Sequence, residues 1–536
     1  MVIIDPNTNL PFEKNEITAV SESAFSGGSF SGGKMFHDGE KYAGGLDPVS
    51  LVSTDYWTLR ERSSNFFKNN LYGRGIIRRL VTNVINTGLS LDAEPIVGLI
   101  PLSEEQSASW TESVEDSFQS WSSLPKICDW KKQDTFGEIE KNAYREALIE
   151  GDVLVIEHYN SSTQLPCYEL VSGGLVQTPI TKQTLAKGNT IEHGVELNFR
   201  RQHVAYWVVQ SDMTYKRIKA RGRNGDVISW LYYATDKRAS ETRGEPLLSL
   251  IMQSISEIDK YRDSTQRKAS VNSLLAMFFY QSTDSKTPNS RPVSAGATRR
   301  GSTSEVVEET GFNLNMAEHH PGLVYENLPP GVKPEGFSNK GTDEKFGDFE
   351  DSILSGIAWA LEIPKSVLKM EFSNSYSASR GEVKEFNMFL GAARNRYADT
   401  FLRPVYTSWL LAMVLTRRIS APGLLEAWRD PMKFEVFGAW INSNWYGAVK
   451  EAVDMLKEVN GLSKMAENGY TTNAVATRQL TNTRFTTNIK RIQRENELKA
   501  ASMRPILELE KEFGADNVNA LSNQINSANN DYIKIE

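Results

Sequence analysis

The strongest constraint on this chain lies between Asn339 and Thr416, where an acidic helix, a polar loop and an aromatic helix follow one another. From Asp343 onward, apolar residues recur at Phe346, Phe349, Ile353, Ile357 and Leu361. Steps of three and four predict a helix with one buried stripe, leaving Asp348, Glu350, Asp351 and Glu362 off that face. Pro364 ends the helix, because the residue before a proline is pushed out of the α region. The next stretch, 365–379, carries Lys365, Lys369, Phe372, Asn374 and Tyr376 among small polar residues and reads as an exposed loop. Ser379 and Glu382 have capping-box spacing for a second helix, with Val383, Phe386, Leu390, Ala393, Tyr397 and Phe401 as its stripe. Pro404 interrupts that helix, since it cannot donate to the Thr400 carbonyl. A loop held between two such helices is offered to a partner.

The rest of the chain is mostly helical with one β-rich block. Residues 1–50 lack apolar periodicity, and Ser26 to Gly33 reads as a flexible Gly/Ser arm. Ile77, Leu80, Val81, Val84 and Ile85 mark a helix face that Gly88 closes; Ser103 and Gln106 cap a further helix bearing Trp110, Val114 and Trp121. A third helix covers 137–150. Strands are predicted at 153–159, 168–171, 203–210 and 227–234 from β-branched and aromatic runs. A helix starts at Pro246 with Leu248, Ile251, Ile255 and Ile258 aligned. Residues 282–342 are rich in proline and glycine, and a structureless linker of that length inside a compact chain is uncommon, which favours a small protruding subdomain. Helices are predicted at 445–459, 477–501 and 505–513, followed by an Asn-rich tail.

Several chemistries find little support. Gly28 to Lys34 fits the first seven positions of a P-loop, but Met35 stands where a magnesium-binding hydroxyl belongs and no strand precedes it. The six histidines show no ligand spacing with one another or with Cys128 and Cys167, so no metal or cofactor is expected. Two cysteines do not build a disulfide framework and fit a reducing compartment. No signal peptide or bilayer-length apolar run is present, which reads as a soluble, cytoplasmic product. The net charge of −7 disfavours a large surface that grips nucleic acid. Between Arg200 and Arg223 seven cations face one acid, Asp212, either as a phosphate-facing patch or as the charged edge of a sheet; the sheet edge is the better reading.

The segments LPPG (328–331), AWALEIPKSVL (358–368), NSYSASRGE (374–382), GDVLVIEHY (151–159), IEHGVELNFRRQHVAYWV (191–208) and TRGEPLLSLIMQSISEIDKY (242–261) stand in an order that resembles the lambda-type portal proteins of tailed bacteriophages. The resemblance spans about residues 50–500 and implies an α+β, mostly helical chain with wing, stem, clip, tunnel loop and helical crown, assembled as a ring of typically twelve. On this sequence it implies an N-terminal arm at 1–50, a wing at 51–245, a first stem helix at 246–281, a clip at 282–342 and a second stem helix at 343–363. A tunnel loop at 364–378, a long wing helix at 379–415 and the rest of the wing with the crown at 416–536 would follow.

The implied function is a non-enzymatic conduit at one capsid vertex through which double-stranded DNA is packaged and ejected. Its partners would be the terminase large subunit, head–tail connector proteins and the major capsid protein, with no membrane. Its location would be the virion, and the host cytoplasm during assembly. The clip would carry Arg291, Arg299 and Arg300. Residues 305–351 hold eleven acids against three lysines, a net of −8. Repeated around a pore, Asp343, Glu344, Asp348, Glu350 and Asp351 would repel DNA phosphates, while Lys365, Lys369, Phe372, Asn374 and Tyr376 would touch the duplex without reading bases. A nucleic-acid-processing enzyme or clamp gripping through the basic hairpin, and a scaffold or minor capsid protein, are the alternatives.

Overall fold

In a computed structural model the described residues are 56–180, 183, 185–222, 225–237, 239, 241–274, 278–281, 332–335, 346–371, 376–447 and 455–513. The N-terminal arm, most of the proline-rich segment and the Asn-rich tail lie outside them. The chain divides into two compact units, Met1–Leu250 with Ser366–Glu536, and Ile251–Lys365.

The first unit opens with helices α1 (Tyr56–Asn69) and α2 (Leu71–Val84). Asn70 caps α2 by accepting from the Gly73 amide at 3.0 Å. The predicted apolar face of α2 is buried, but the helix stops at Val84, four residues before Gly88. Gly88, at φ +106°, turns the chain so that the Leu89 amide donates to the buried Glu140 carboxyl at 3.1 Å. Helix α3 (Glu104–Ser122) carries the expected reciprocal box. The Gln106 amide donates to the Ser103 hydroxyl (3.3 Å), and the Ser103 amide donates to the Gln106 side chain (3.0 Å). Thr135 caps α4 (Phe136–Glu150), which ends where Gly151 takes φ +88°.

Strand β1 is Ser90–Ala93; β2 (Val153–Tyr159), β3 (Pro166–Ser172) and β8 (Ser229–Tyr232) form one sheet in the order β3-β2-β8. A second sheet follows the order of the chain: β4 (Thr190–Glu192), β5 (Val195–Leu197), β6 (His203–Val209) and β7 (Tyr215–Lys219). Every pair in both sheets is antiparallel. Leu154, Ile156 and Leu231 of the first sheet share one apolar cluster with Val195, Leu197, Tyr206 and Val208 of the second. The two sheets therefore bury each other's inner face.

Beside them runs the long helix. Helix α7 (Tyr376–Tyr397) passes through a π turn at Ala398–Leu402 into α8 (Arg403–Leu415). The interruption falls where Pro404 removes a donor, and the Arg403 amide reaches back five residues to the Ala398 carbonyl. The aromatic face of this helix builds a core of interlocked rings. Phe118 of α3 meets Trp409 edge-on at 5.1 Å and Tyr406 at 6.3 Å, and Tyr397 and Phe401 stack at 5.1 Å. Trp121 and Phe136 close the cluster from α3 and α4. Edge-to-face pairs of this kind add roughly 0.5–1.5 kcal/mol each beyond their buried area.

The helix expected from Trp445 does not start there. Ser443–Tyr446 is strand β11, paired antiparallel with β1 from Ser90↔Tyr446 to Ala93↔Ser443. Aromatic residues favour a pleated, half-buried strand, and β1 supplies a partner that the local pattern could not announce. Three helices follow: α9 (Met455–Glu467), α10 (Asn473–Thr481) and α11 (Phe485–Phe513), the last continuous through Pro505.

In the second unit, helix α5 (Leu248–Leu274) enters from the first and buries Ile251, Met252, Ile255 and Ile258. Within the 246–281 segment the helix covers Leu248–Leu274. Phe278–Gln281 is strand β9, paired antiparallel with β10 (Val332–Glu335) from Gln281↔Val332 to Phe278↔Glu335. β9 and β10 thus flank residues 282–331 in the sequence. Helix α6 (Phe346–Ala360) buries Leu354, Ile357 and Ala358, with Leu361 and Ile363 just beyond. Its end is a closed turn: Glu362 takes φ +55° and the Ile363 amide donates to the Ala358 carbonyl at 3.0 Å.

Candidate functional site

The acidic helix and the lysines after it are the functional residues that the sequence leads one to expect. On α6, Tyr261 of α5 lies against Phe349 at 4.7 Å between ring centroids, which joins the two helices of the second unit. Asp348 is exposed, and Glu350 and Asp351 are half-buried. Asp343 and Glu344 lie outside the described residues. Trp359 is 87% exposed, while Ile357 and Ala358 beside it in the chain are buried. Lys365 opens a short helix, Lys365–Lys369, and its ammonium pairs with Asp351. One of the acids and one of the cations picked out in the sequence therefore answer each other.

In the first unit, Lys369 approaches Glu371 at 3.7 Å, and Ser366 donates to the Glu382 carboxylate. Helix α7 begins at Tyr376, three residues earlier than the expected cap, so Ser379 falls within its first turn and Glu382 serves Ser366. Tyr376 is the first helical residue. The segment read as a loop over 364–378 thus contains one short helix and the start of another. Phe372, Asn374 and the clip residues Arg291, Arg299 and Arg300 lie outside the described residues.

The basic hairpin is the edge of the four-stranded sheet. Two of its cations are engaged within the sheet: Arg217 holds the buried Glu196 through Nε (2.7 Å) and Nη2 (3.0 Å), and Arg201 forks onto Glu192 (3.0 and 2.9 Å). Lys216, Lys219 and Arg221 remain exposed along β7 and just past it. His158 bonds Glu169 at 2.8 Å and stacks on Trp130, a satisfied strand residue. Among the described residues, no group of three His, Cys, Asp or Glu stands ready to hold a metal, and no helix is long and apolar enough to cross a membrane.

Three segments that carry the resemblance converge on a cluster the residue-by-residue reading missed. Asp152, fully buried, receives Arg243 through Nε (2.7 Å) and Nη2 (2.7 Å), Arg60 through Nη2 (2.8 Å) and Nη1 (3.2 Å), and the Gly244 amide (3.0 Å). Arg243 also donates to the carbonyls of Gly173 (2.7 Å), Val176 (3.0 Å) and His193 (2.6 Å). Burial alone would raise the Asp152 carboxyl, but Arg243 and Arg60 hold it well below the usual carboxylate range. His193 stacks on Tyr56 at 4.2 Å, and burial beside Arg243 and Arg60 lowers it to about 4. The glycines are steric requirements: a Cβ on Gly244 would stand 2.0 Å from the Gly151 carbonyl oxygen. The knot ties α1, β2 and the approach to α5 together. The signal was present in GDVLVIEHY and TRGEPLL, where a charge beside a glycine enters an apolar run; only its partner was missing.

The chain belongs to the lambda family of phage portal proteins, whose family model matches residues 40–394. It is 23% identical over 432 residues to the portal protein of Escherichia phage N15, covering 77% of this chain and 78% of that one. It is 20% identical over 428 residues to portal protein B of Escherichia phage lambda, with the same coverage of each. Among solved structures, a chain from the neck of an empty gene transfer agent particle aligns over 79% of this chain and 92% of its own, at 11% identity and TM-score 0.41. The Asp152 knot, built from residues 60, 152 and 243, lies wholly within the family match.

Proposed function

We propose that this portal protein assembles as a ring of twelve at one capsid vertex and conducts double-stranded DNA during packaging and ejection. Family membership is the observation that carries this reading. In it, α5 and α6 are the stem helices, the segment bracketed by β9 and β10 is the clip, and residues 364–378 are the tunnel loop. The terminase large subunit and later the head–tail connectors meet the clip, and the major capsid protein meets the wing. The protein is made in the host cytoplasm and resides in the virion.

Chemistry supports a conduit of this kind. Exposed carboxylates such as Asp348 repel phosphate at close range. The Asp351 partner tempers the charge of Lys365, so the loop steadies DNA instead of gripping it. Motor energy comes from a separate ATPase.

Electron microscopy of the purified protein tests the assembly: rings with a central hole are expected, and a monomer or a filled particle would overturn it. Lys365→Ala with Lys369→Ala should leave rings intact and reduce retention of packaged DNA. Unassembled subunits in that variant would give the loop a structural role instead.

A further inference from the structure

The C-terminal helices carry almost no apolar anchor. From Met455 to Phe513, Arg478 is the one buried side chain among those described, while Met455, Leu456, Ile489, Ile492, Leu498 and Met503 are all exposed. The polar contacts that join α10 and the start of α11 to β1 and α3, among the described residues, are ion pairs. Arg478 reaches Asp92 of β1 (2.8 Å) and Glu115 of α3 (3.2 Å), and its guanidinium lies over the Tyr446 ring of β11 at 5.4 Å. Arg484 meets Glu115 (2.5 Å) and Asp116 (2.6 Å), and Lys490 meets Glu112 (2.5 Å). Three cations of the tail thus face four carboxylates on β1 and α3.

We propose that residues 455–513 form a releasable arm, held against α3 and β1 by this charge latch. The outer pairs, Lys490–Glu112 and Arg484–Asp116, each have one exposed member, Lys490 and Asp116, and are screened by salt. The inner pair is sheltered, because Glu115 also accepts from the Ala93 amide at 3.1 Å and Arg478 is covered. Release therefore begins at Lys490 and completes when Arg484 leaves Glu115 and Arg478 leaves Glu115 and Asp92. Because no described apolar side chain of the arm is fully buried, the arm can part from the body without opening the ring cluster around Trp409, though it uncovers the Tyr446 face beneath Arg478. A hydrophobic junction would respond to salt with the opposite sign.

Trypsin reads the latch directly, since cleavage after an arginine requires its guanidinium to be free. The full chain is digested at pH 8, above the value of about 7 to which burial pushes Glu115 against the pull of Arg484 and Arg478. Cleavage after Arg478 and Arg484 is measured relative to cleavage after Arg491 and Arg494, which are exposed on α11. Raising salt from about 0.1 to about 1 M shortens the screening length from ~10 to ~3 Å and should raise that ratio severalfold. Glu112→Gln with Asp116→Asn, both surface positions on α3, should raise it at low salt, with the near-UV spectrum of the aromatic core unchanged. A ratio that stays flat or falls with salt, or is unmoved by the double variant, would overturn the latch.

Discussion

Two regions of the first unit, joined to each other, are held by opposite means. The body around α8 rests on interlocked rings: Phe118, Trp121, Phe136, Phe401, Tyr406 and Trp409 are all buried and in contact. Among the described residues, α10 and the start of α11 meet β1 and α3 through Arg478, Arg484 and Lys490, and Met455, Leu456, Ile489, Ile492, Leu498 and Met503 are exposed. Apolar burial is non-directional and strengthens with area, so the body resists local change. Exposed pairs such as Lys490–Glu112 contribute little each and weaken with salt, which leaves the sheltered contacts on Glu115 to hold the arm. The same chain therefore pairs a rigid scaffold with a loosely held end.

The comparison breaks most easily at its strong end. Trp409→Ala should destabilise the protein by about 3–5 kcal/mol in urea denaturation, since a fully buried ring leaves a cavity. Met503→Ala, on the arm, should stay within about 0.5 kcal/mol. Equal losses from the two would erase the distinction.

Asp152→Ala should cost a comparable ~3–5 kcal/mol by stranding Arg60 and Arg243. Its pH dependence has a definite sign. The native carboxyl sits below the ordinary 3.8, so its contribution is complete above that value and is lost as pH falls further. Acid denaturation of the wild type should therefore steepen below pH 3.8, and Asp152→Ala should flatten that limb.

Glu140 behaves in reverse. Burial raises it from 4.5 to about 8, opposed only by the Leu89 amide. The folded state holds a proton that the unfolded state releases, so stability is full below 4.5 and declines as pH rises through 8. Glu140→Gln keeps an acceptor for Leu89 and should remove that decline, by up to a few kcal/mol at pH 9 in thermal melts. The smallest effect belongs to the arm: Lys490→Ala should cost about 0.2–1 kcal/mol at low salt and nothing measurable at high salt. A larger, salt-independent loss would mean the arm is anchored by something other than charge.

Periodicity made much of the fold legible. The α3 capping box, strand β2 from Val153 to Tyr159 and the break at Pro404 all stand where local rules put them. The same rules failed where a distant partner decided the outcome. Phe278–Gln281 and Ser443–Tyr446 become strands because β10 and β1 are there to pair with them. Ser379 looked like a cap, but the helix runs three residues further back and Glu382 turns to Ser366. At the candidate site the charges were visible, while the pairing of Lys365 with Asp351 depends on the turn that Glu362 makes after α6.

What the sequence determined by itself was the class of element at each amphipathic stretch, the acidic character of 305–351 and the order of motifs that marks the family. Those properties depend on neighbours three or four residues away, or on residue identity alone. The tertiary structure decided which charges are spent inside the fold and which remain. Arg60, Asp152 and Arg243 lie far apart in the chain yet share one buried knot, and Arg478 finds Glu115 across more than three hundred and fifty residues. A charge taken out of water must find its partner wherever the fold brings one. That partner has no fixed spacing for a sequence to display.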